Sequence, residues 1–466
     1  MSKAESLAFA TVRQLGSMLR NGETTPTELA EFCIDRLERI GSQLNAVVTI
    51  TRELAMREAR LAEEELAAGH DRGPLHGIPY GAKDLLATSG IPTSWGAAPL
   101  KDQVFPYDAA VIERLRNAGA VLTAKLAMVE LAGGMGYRQP NASFTGPGIN
   151  PWNTDAWTGG SSAGSGSAVG AGCVPFAIGS ETMGSILGPA GFCGISGLRP
   201  TYGRVSRRGA MALSWTLDKL GPMCRTADDC GLVLDAIAGP DPNEPSTLDA
   251  PFHYRPDRDR SAGFRLGVLR DGVPETQPDV RDNFERSLDD LSRIATLEEV
   301  SLPDYPYGPT AELIIRSEGT AALESLLVSG KIQELTAPED RTGGYAGYAI
   351  PAVEYLRAMR VRKHIITDLE SLFSRYDAIV HPSFDMVASP LDVSFEEYRG
   401  DRRWTTLSAA GNLAGLPAIT VPNGFGERNL PTGVQFVGRA GEDGRLISVA
   451  RAYQQQTSWH QRFPEW

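Results

Sequence analysis

The sequence predicts an α/β fold, and three observations carry that expectation. Helix-like and strand-like segments alternate: a strand-like stretch at residues 80–86, an amphipathic stretch at 108–118 closed by Gly119, then Val121-Leu122. Near the other end, residues 419–421 and 434–437 read as paired strands joined by a loop at 424–431. Between them lies a stretch from Thr158 to Gly209, dense in Gly and Ser yet threaded with Val174, Phe176, Ile178, Ile186, Leu187, Phe192, Ile195 and Leu198. A flexible linker lacks such anchors. This stretch therefore reads as a turn-rich loop system fixed to a core and presenting hydroxyls.

In chain order, residues 4–70 look helical. Thr24-Thr25-Pro26-Thr27-Glu28 offers a cap and an early proline, and Leu29, Phe32, Cys33, Ile34, Leu37 and Ile40 follow on one face. Residues 52–68 are rich in Ala, Leu, Glu and Arg and stop at Gly69. A loop at 73–79 leads into the strand bearing Lys83. Residues 162–171 are small and fit a helix. Thr226-Ala227-Asp228-Asp229 resembles a capping box, and Pro240 ends its helix at Gly239. Residues 240–262, rich in Pro and Asp, form a surface excursion. A strand at 265–269 precedes helices at 280–295 and 311–330. A polar, Gly-rich loop at 336–348 near the site, a long helix at 352–375 and a strand at 377–381 follow. With no internal repeat and no clean linker, the chain reads as one domain over 1–466, with a helical segment at 1–70 packed on it.

Composition narrows the function classes. Lys and Arg number 45 against 57 Asp and Glu, a net charge of −12. Such a balance argues against a nucleic-acid surface. Five cysteines, Cys33, Cys173, Cys193, Cys224 and Cys230, are too few and too scattered for a disulfide framework. No Cys or His spacing reads as a zinc site, so no metal and no cofactor are expected. The N-terminus carries no leader-like pattern, and Gly and Pro interrupt the longest apolar runs. The expectation is a cytoplasmic protein without a membrane segment.

Two serines stand out in the central stretch. Ser161 follows Gly159-Gly160, and Ser185 follows Thr182-Met183-Gly184. A serine beside converging backbone N–H groups supplies what acyl transfer needs, a nucleophile and donors for the developing oxyanion. Serines also fill loops and cap helices, so the weight rests on the surrounding motifs. Gly159-Gly160-Ser161-Ser162-Ala163-Gly164, Met183-Gly184-Ser185-Ile186, Cys193-Gly194, Gly197-Leu198-Arg199-Pro200-Thr201 and Gly203-Arg204-Val205-Ser206 occur in that order. Upstream lies Leu75-His76-Gly77-Ile78-Pro79 with Lys83-Asp84. Downstream lie Asn412-Leu413-Ala414-Gly415-Leu416-Pro417 and Leu430-Pro431-Thr432-Gly433-Val434-Gln435. Together these segments resemble the amidase signature family over nearly the whole chain.

The resemblance implies a mixed central β-sheet covered by helices on both faces, and a catalytic triad of Lys83, Ser161 and Ser185. Ser185 would be the nucleophile, and Ser161, after a cis peptide bond from Gly160, would bridge it to Lys83. Backbone amides of Thr182, Met183, Gly184 and Ser185 would hold the oxyanion. Ala132, Gly133, Gly134, Met135 and Tyr137 would approach the substrate. His76 belongs to a loop motif and is structural. The chemistry agrees with the residues: a lysine accepts a proton only when neutral, and burial without a counter-charge lowers its pKa. Lys83 stands among Ile78, Ala82, Leu85 and Leu86, and Asp84 would point to the opposite face of a strand.

The family's usual Asp-Thr-Gly-Gly-Ser-Ile-Arg turn here reads Glu181-Thr182-Met183-Gly184-Ser185-Ile186-Leu187. Met183 must avoid a strongly positive φ, and its side chain is expected at the pocket. Leu187 replaces an arginine that the glutamine-dependent tRNA amidotransferase subunit usually keeps. The expectation is therefore a stand-alone amidase, a hydrolase of linear amides with esters, anilides or carbamates as related substrates. It would act on small molecules, without nucleic acid, as a monomer or homodimer. The alternative is the amidotransferase A-type subunit working with partner subunits. A phosphate cradle at 159–167 is disfavoured because the Lys-Ser/Thr ending of a P-loop is missing. A binding protein without catalysis is disfavoured because all three triad residues are present.

Overall fold

Eleven strands form one mixed sheet among the described residues, which are 3–136, 140–256, 263–400 and 406–466 of a computed structural model. In chain order the strands are β1 Val47–Ile50, β2 Pro79–Lys83, β3 Val121–Leu126, β4 Ile149–Asn150, β5 Asn153–Trp157, β6 Phe176–Glu181, β7 Ser196–Arg199, β8 Lys219–Cys224, β9 Phe264–Leu269, β10 Ala295–Val300, β11 Ala378–Pro382, β12 Ala418–Phe425 and β13 Pro431–Val437. β4 and β5 make a separate ribbon. The large sheet runs β1-β3-β2-β6-β8-β7-β12-β13-β11-β9-β10. β3, β2 and β6 are mutually parallel, as are β11, β9 and β10. The strands between them pair antiparallel.

Burial shows why the sheet sits at the centre. Every residue of β2, β3, β6, β8 and β13 is buried, which requires cover on both faces. Alternate side chains of β6 enter different clusters. Phe176 and Ile178 join Val233 and Leu234 of helix Ala227–Ile237, whereas Ala177 joins Ala168 and Val169 of helix Ala163–Gly170. The small residues of that second helix allow close approach: a Cβ on Gly164 would lie 2.3 Å from Ala46 O.

Most elements form where the pattern places them, and the cap signals hold. Thr25 caps helix Pro26–Arg36 in a full capping box with Glu28, and Thr226 Oγ1 accepts the Asp229 N–H. One strand was hidden inside a segment expected to be helical, and another begins at the last residue of an expected helix. Val47-Val48-Thr49-Ile50 is a β-branched run that pairs antiparallel with β3, so residues 4–70 are not wholly helical. The helix expected to reach Ala295 ends as Pro278–Leu291, and Ala295 opens β10 beside β9. The expected loop at 336–348 holds two short helical turns, Asp340–Gly343 and Gly344–Ala349. Among the described residues, no helix is long and apolar enough to cross a membrane. All five cysteines are buried thiols.

Because Ile178 lies fully buried at the sheet's centre, Ile178→Ala should lower stability by about 2–5 kcal/mol. Denaturant unfolding should show a lower midpoint at an unchanged slope.

Candidate active site

Lys83 is the last residue of β2, which lies between β3 and β6, and its side chain is fully buried. Its Nζ donates to Ser161 Oγ at 2.8 Å, Ser180 Oγ at 2.9 Å and Ser162 Oγ at 3.0 Å. Ser162 Oγ in turn donates to Ser180 O at 3.2 Å and accepts the Ser180 N–H. Among the described residues Lys83 touches no carboxylate. Asp84, its neighbour in sequence, turns the other way and pairs with Lys125 at 3.1 Å while accepting from Ser94. Burial is the largest influence on Lys83 and outweighs the attraction of Asp218 and Glu181, so its pKa falls to about 7.

Ser161 and Ser162 lie between the Gly159-Gly160 pair and helix Ala163–Gly170, with a cis bond from Gly160 to Ser161. Ser185 stands on the turn between β6 and helix Leu187–Phe192 and is half-buried. The two segments meet through the Ser162 N–H and Ser185 O at 3.3 Å. No hydrogen bond joins the Ser161 and Ser185 hydroxyls among the described residues. The left-handed backbone of the turn falls on Gly184, with φ 86°, which spares Met183. Met183 projects outward and is 37% exposed.

A cleft of about 180 Å³ opens beside this cluster. Ser180, Thr182, Ala132, Arg207, Trp215 and Asp218 are among its walls. Of the expected substrate-contacting residues, Ala132 lines this cleft. Gly134 lies behind its Leu213 wall, where an added Cβ would come 2.5 Å from Leu213 Cδ1. Met135 is buried against Gly344. Neither Gly133 nor Met183 lines the cleft, and Tyr137 lies outside the described residues. Leu131 and Ala132 both adopt left-handed backbone, φ 50° and 56°. Glu130 fixes that loop by accepting the N–H groups of Thr336 and Ala337 at 2.8 and 3.0 Å. His76 precedes β2, at the end opposite Lys83, where Nδ1 accepts the Arg72 N–H at 3.1 Å.

Sequence reasoning missed the support beneath the turn. Glu181, Arg199, Lys219 and Asn412 meet there, all buried. Arg199 and Asn412 sit inside quoted motifs, but nothing in their spacing assigned them to this turn. Asp218 accepts from Thr182 Oγ1 at 2.6 Å and from the N–H groups of Leu213 and Ser214. Burial raises its pKa nonetheless. The whole arrangement can move a proton along hydroxyls to a buried amine while backbone donors face a carbonyl oxygen.

The amidase family model matches residues 28–447. The chain belongs to the amidase signature family. The A subunit of glutamyl-tRNA(Gln) amidotransferase from Methylococcus capsulatus is 37% identical over 97% of this chain and 98% of that protein. Seven further curated relatives, at 34–38% identity, carry the same name. Among solved structures, peptide amidase from Stenotrophomonas maltophilia matches with TM-score 0.85 at 31% identity over 98% of each chain. The corresponding amidotransferase chain from Thermotoga maritima matches at 0.78 and 27% identity, over 96% of this chain and 95% of that one.

This amidase signature protein is an enzyme of the amide C–N bond, a hydrolase or an amidotransferase. The expectation of a stand-alone hydrolase is overturned by the chain-length similarity to amidotransferase subunits. It had leaned on one residue, Leu187, yet Arg199 supplies a guanidinium beneath the same turn. The expectation of a monomer or homodimer without nucleic acid is overturned by the same relatives. A net charge of −12 describes this chain alone and cannot speak for surfaces that other subunits contribute.

Stability gives a direct test of the buried amine. An unfolded lysine keeps its proton to about pH 10.4, whereas folded Lys83 releases it near 7. Between these values the unfolded chain binds the extra proton, so stability rises with pH. Relative to Lys83→Met, the parent should gain on the order of 4 kcal/mol between pH 7 and 10, read from urea unfolding. Parallel pH dependence of the two proteins would contradict it.

Proposed function

We propose that this chain is the amide-cleaving subunit of a glutamyl-tRNA(Gln) amidotransferase. The observation that carries the reading is the 37% identity to such a subunit over 97% of this chain. In this reading Ser185 Oγ attacks the side-chain carboxamide of glutamine while its proton passes by way of Ser161 to Lys83. The N–H groups of Thr182, Met183, Gly184 and Ser185 stabilise the oxyanion, each donor worth roughly 3–4 kcal/mol in comparable holes. The C–N bond then breaks, and the proton returns to the leaving nitrogen, which departs as ammonia. Water cleaves the Ser185 ester by the same relay and releases glutamate.

Several features support these roles. Lys83 is buried, lies 2.8 Å from Ser161 and is poised near neutrality. Among the described residues, the N–H groups of Met183, Gly184 and Ser185 have no acceptor within the chain. The cleft walled by Ala132, Thr182 and Asp218 gives the donor amide an approach. Partner subunits would carry the glutamyl-tRNA and receive the ammonia. A cytoplasmic place beside the translation apparatus goes with that role.

The test is reconstitution with the cognate partner subunits. The complex should hydrolyse glutamine and convert glutamyl-tRNA(Gln) to glutaminyl-tRNA(Gln). Ser185→Ala should cut glutamine hydrolysis by on the order of 10³-fold or more while transfer from free ammonia persists. A complex inert toward glutamine, or an undiminished Ser185→Ala complex, would refute the proposal.

A further inference from the structure

The turn that carries Ser185 rests on one buried carboxylate. Glu181 Oε2 accepts the N–H of Ile186 at 2.9 Å and of Leu187 at 3.0 Å, the two residues after Ser185. Glu181 Oε1 accepts from Arg199 Nη1 at 2.8 Å and from Asn412 Nδ2 at 3.2 Å. Arg199 is itself fixed, donating from Nε and Nη2 to Leu416 O at 3.1 and 3.0 Å. Lys219 Nζ bonds Asn412 Oδ1 at 2.7 Å and reaches Thr182 O at 3.4 Å. Burial alone would raise Glu181, but Arg199 above all holds it at about 2, so it stays ionised.

Leu187, which opens the following helix, is packed in an apolar cluster with Leu217, Leu407 and Leu413. The glutamate side chain is long enough for one carboxylate to span from the turn's N–H groups to an arginine on β7.

We infer that Glu181 is the positioning residue of this active site. It claims the two N–H groups after Ser185, holds the turn's remaining N–H groups toward the oxyanion position, and has Arg199 as its counter-ion. Glu181 touches no reacting atom; it acts through the backbone of Ser185 and its neighbours. This assignment rests on the acyl-Ser185 reading above.

The test is covalent labelling by a fluorophosphonate, which reports the reactivity of Ser185 whatever the natural amide. Glu181→Asp shortens the span and should lower the limiting labelling rate on the order of 10²-fold, with the half-saturating probe concentration unchanged. Glu181→Gln keeps the shape and should lose about tenfold or more. Rates are taken per folded molecule, with the folded fraction read by circular dichroism. Unchanged labelling in Glu181→Gln, or a Glu181→Asp variant whose limiting rate is unchanged while only its half-saturating probe concentration moves, overturns the inference. Ser185→Ala separates the two levels: if it still labels at the parent rate, the acyl-serine reading fails, and if it is silent, the outcome bears on Glu181 alone.

Discussion

The structure depends on keeping an amine out of water without giving it a counter-ion. Lys83 is fully buried, and its three side-chain partners are hydroxyls. Neutral hydroxyls satisfy the N–H groups and do little to stabilise a positive charge. The contrast with Lys125 is instructive. That lysine, equally buried on the neighbouring strand, is matched by Asp84 at 3.1 Å. One strand apart, the same residue type is built as half of an ion pair and, in the proposed reaction, as a proton acceptor.

The remaining charge near the site is apportioned so as not to undo this. Glu181 is engaged by Arg199 and Asn412, and Asp218 by Thr182 and two backbone N–H groups. Both act on Lys83 only at longer range, and burial prevails over them. Each carboxylate fixes one flank of the Ser185 turn. The sheet supplies the frame: β2 brings Lys83, β6 brings Ser180 and Glu181, β7 brings Arg199 and β8 brings Lys219. The Ser185 turn, held by these strands and by Asn412 from helix Thr406–Leu413 far along the chain, depends on both halves of the chain being assembled.

The α/β class, the caps at Thr25 and Thr226 and the strand bearing Lys83 were all legible, because period and cap chemistry are local. β1 was not, since a four-residue β-branched run between helices becomes a strand only when β3 is there to pair with it. Lys83, Ser161 and Ser185 were identified from motif order, and the fold brings Lys83 and Ser161 into contact. The support from Arg199, Lys219 and Asn412 was beyond reach, because Asn412 lies 231 positions from the Glu181 it bonds. Function was misjudged at Leu187, where one side chain was read apart from its surroundings.

The most direct measurement of the central claim is the rate of Ser185 acylation against pH, taken in the pre-steady state so that product release does not intervene. A buried amine that must be uncharged to accept the proton gives a rate rising with pH, half-maximal near 7 and level above pH 8. A rate flat from pH 5 to 9, or one rising only toward the ordinary lysine range near 10, would contradict it.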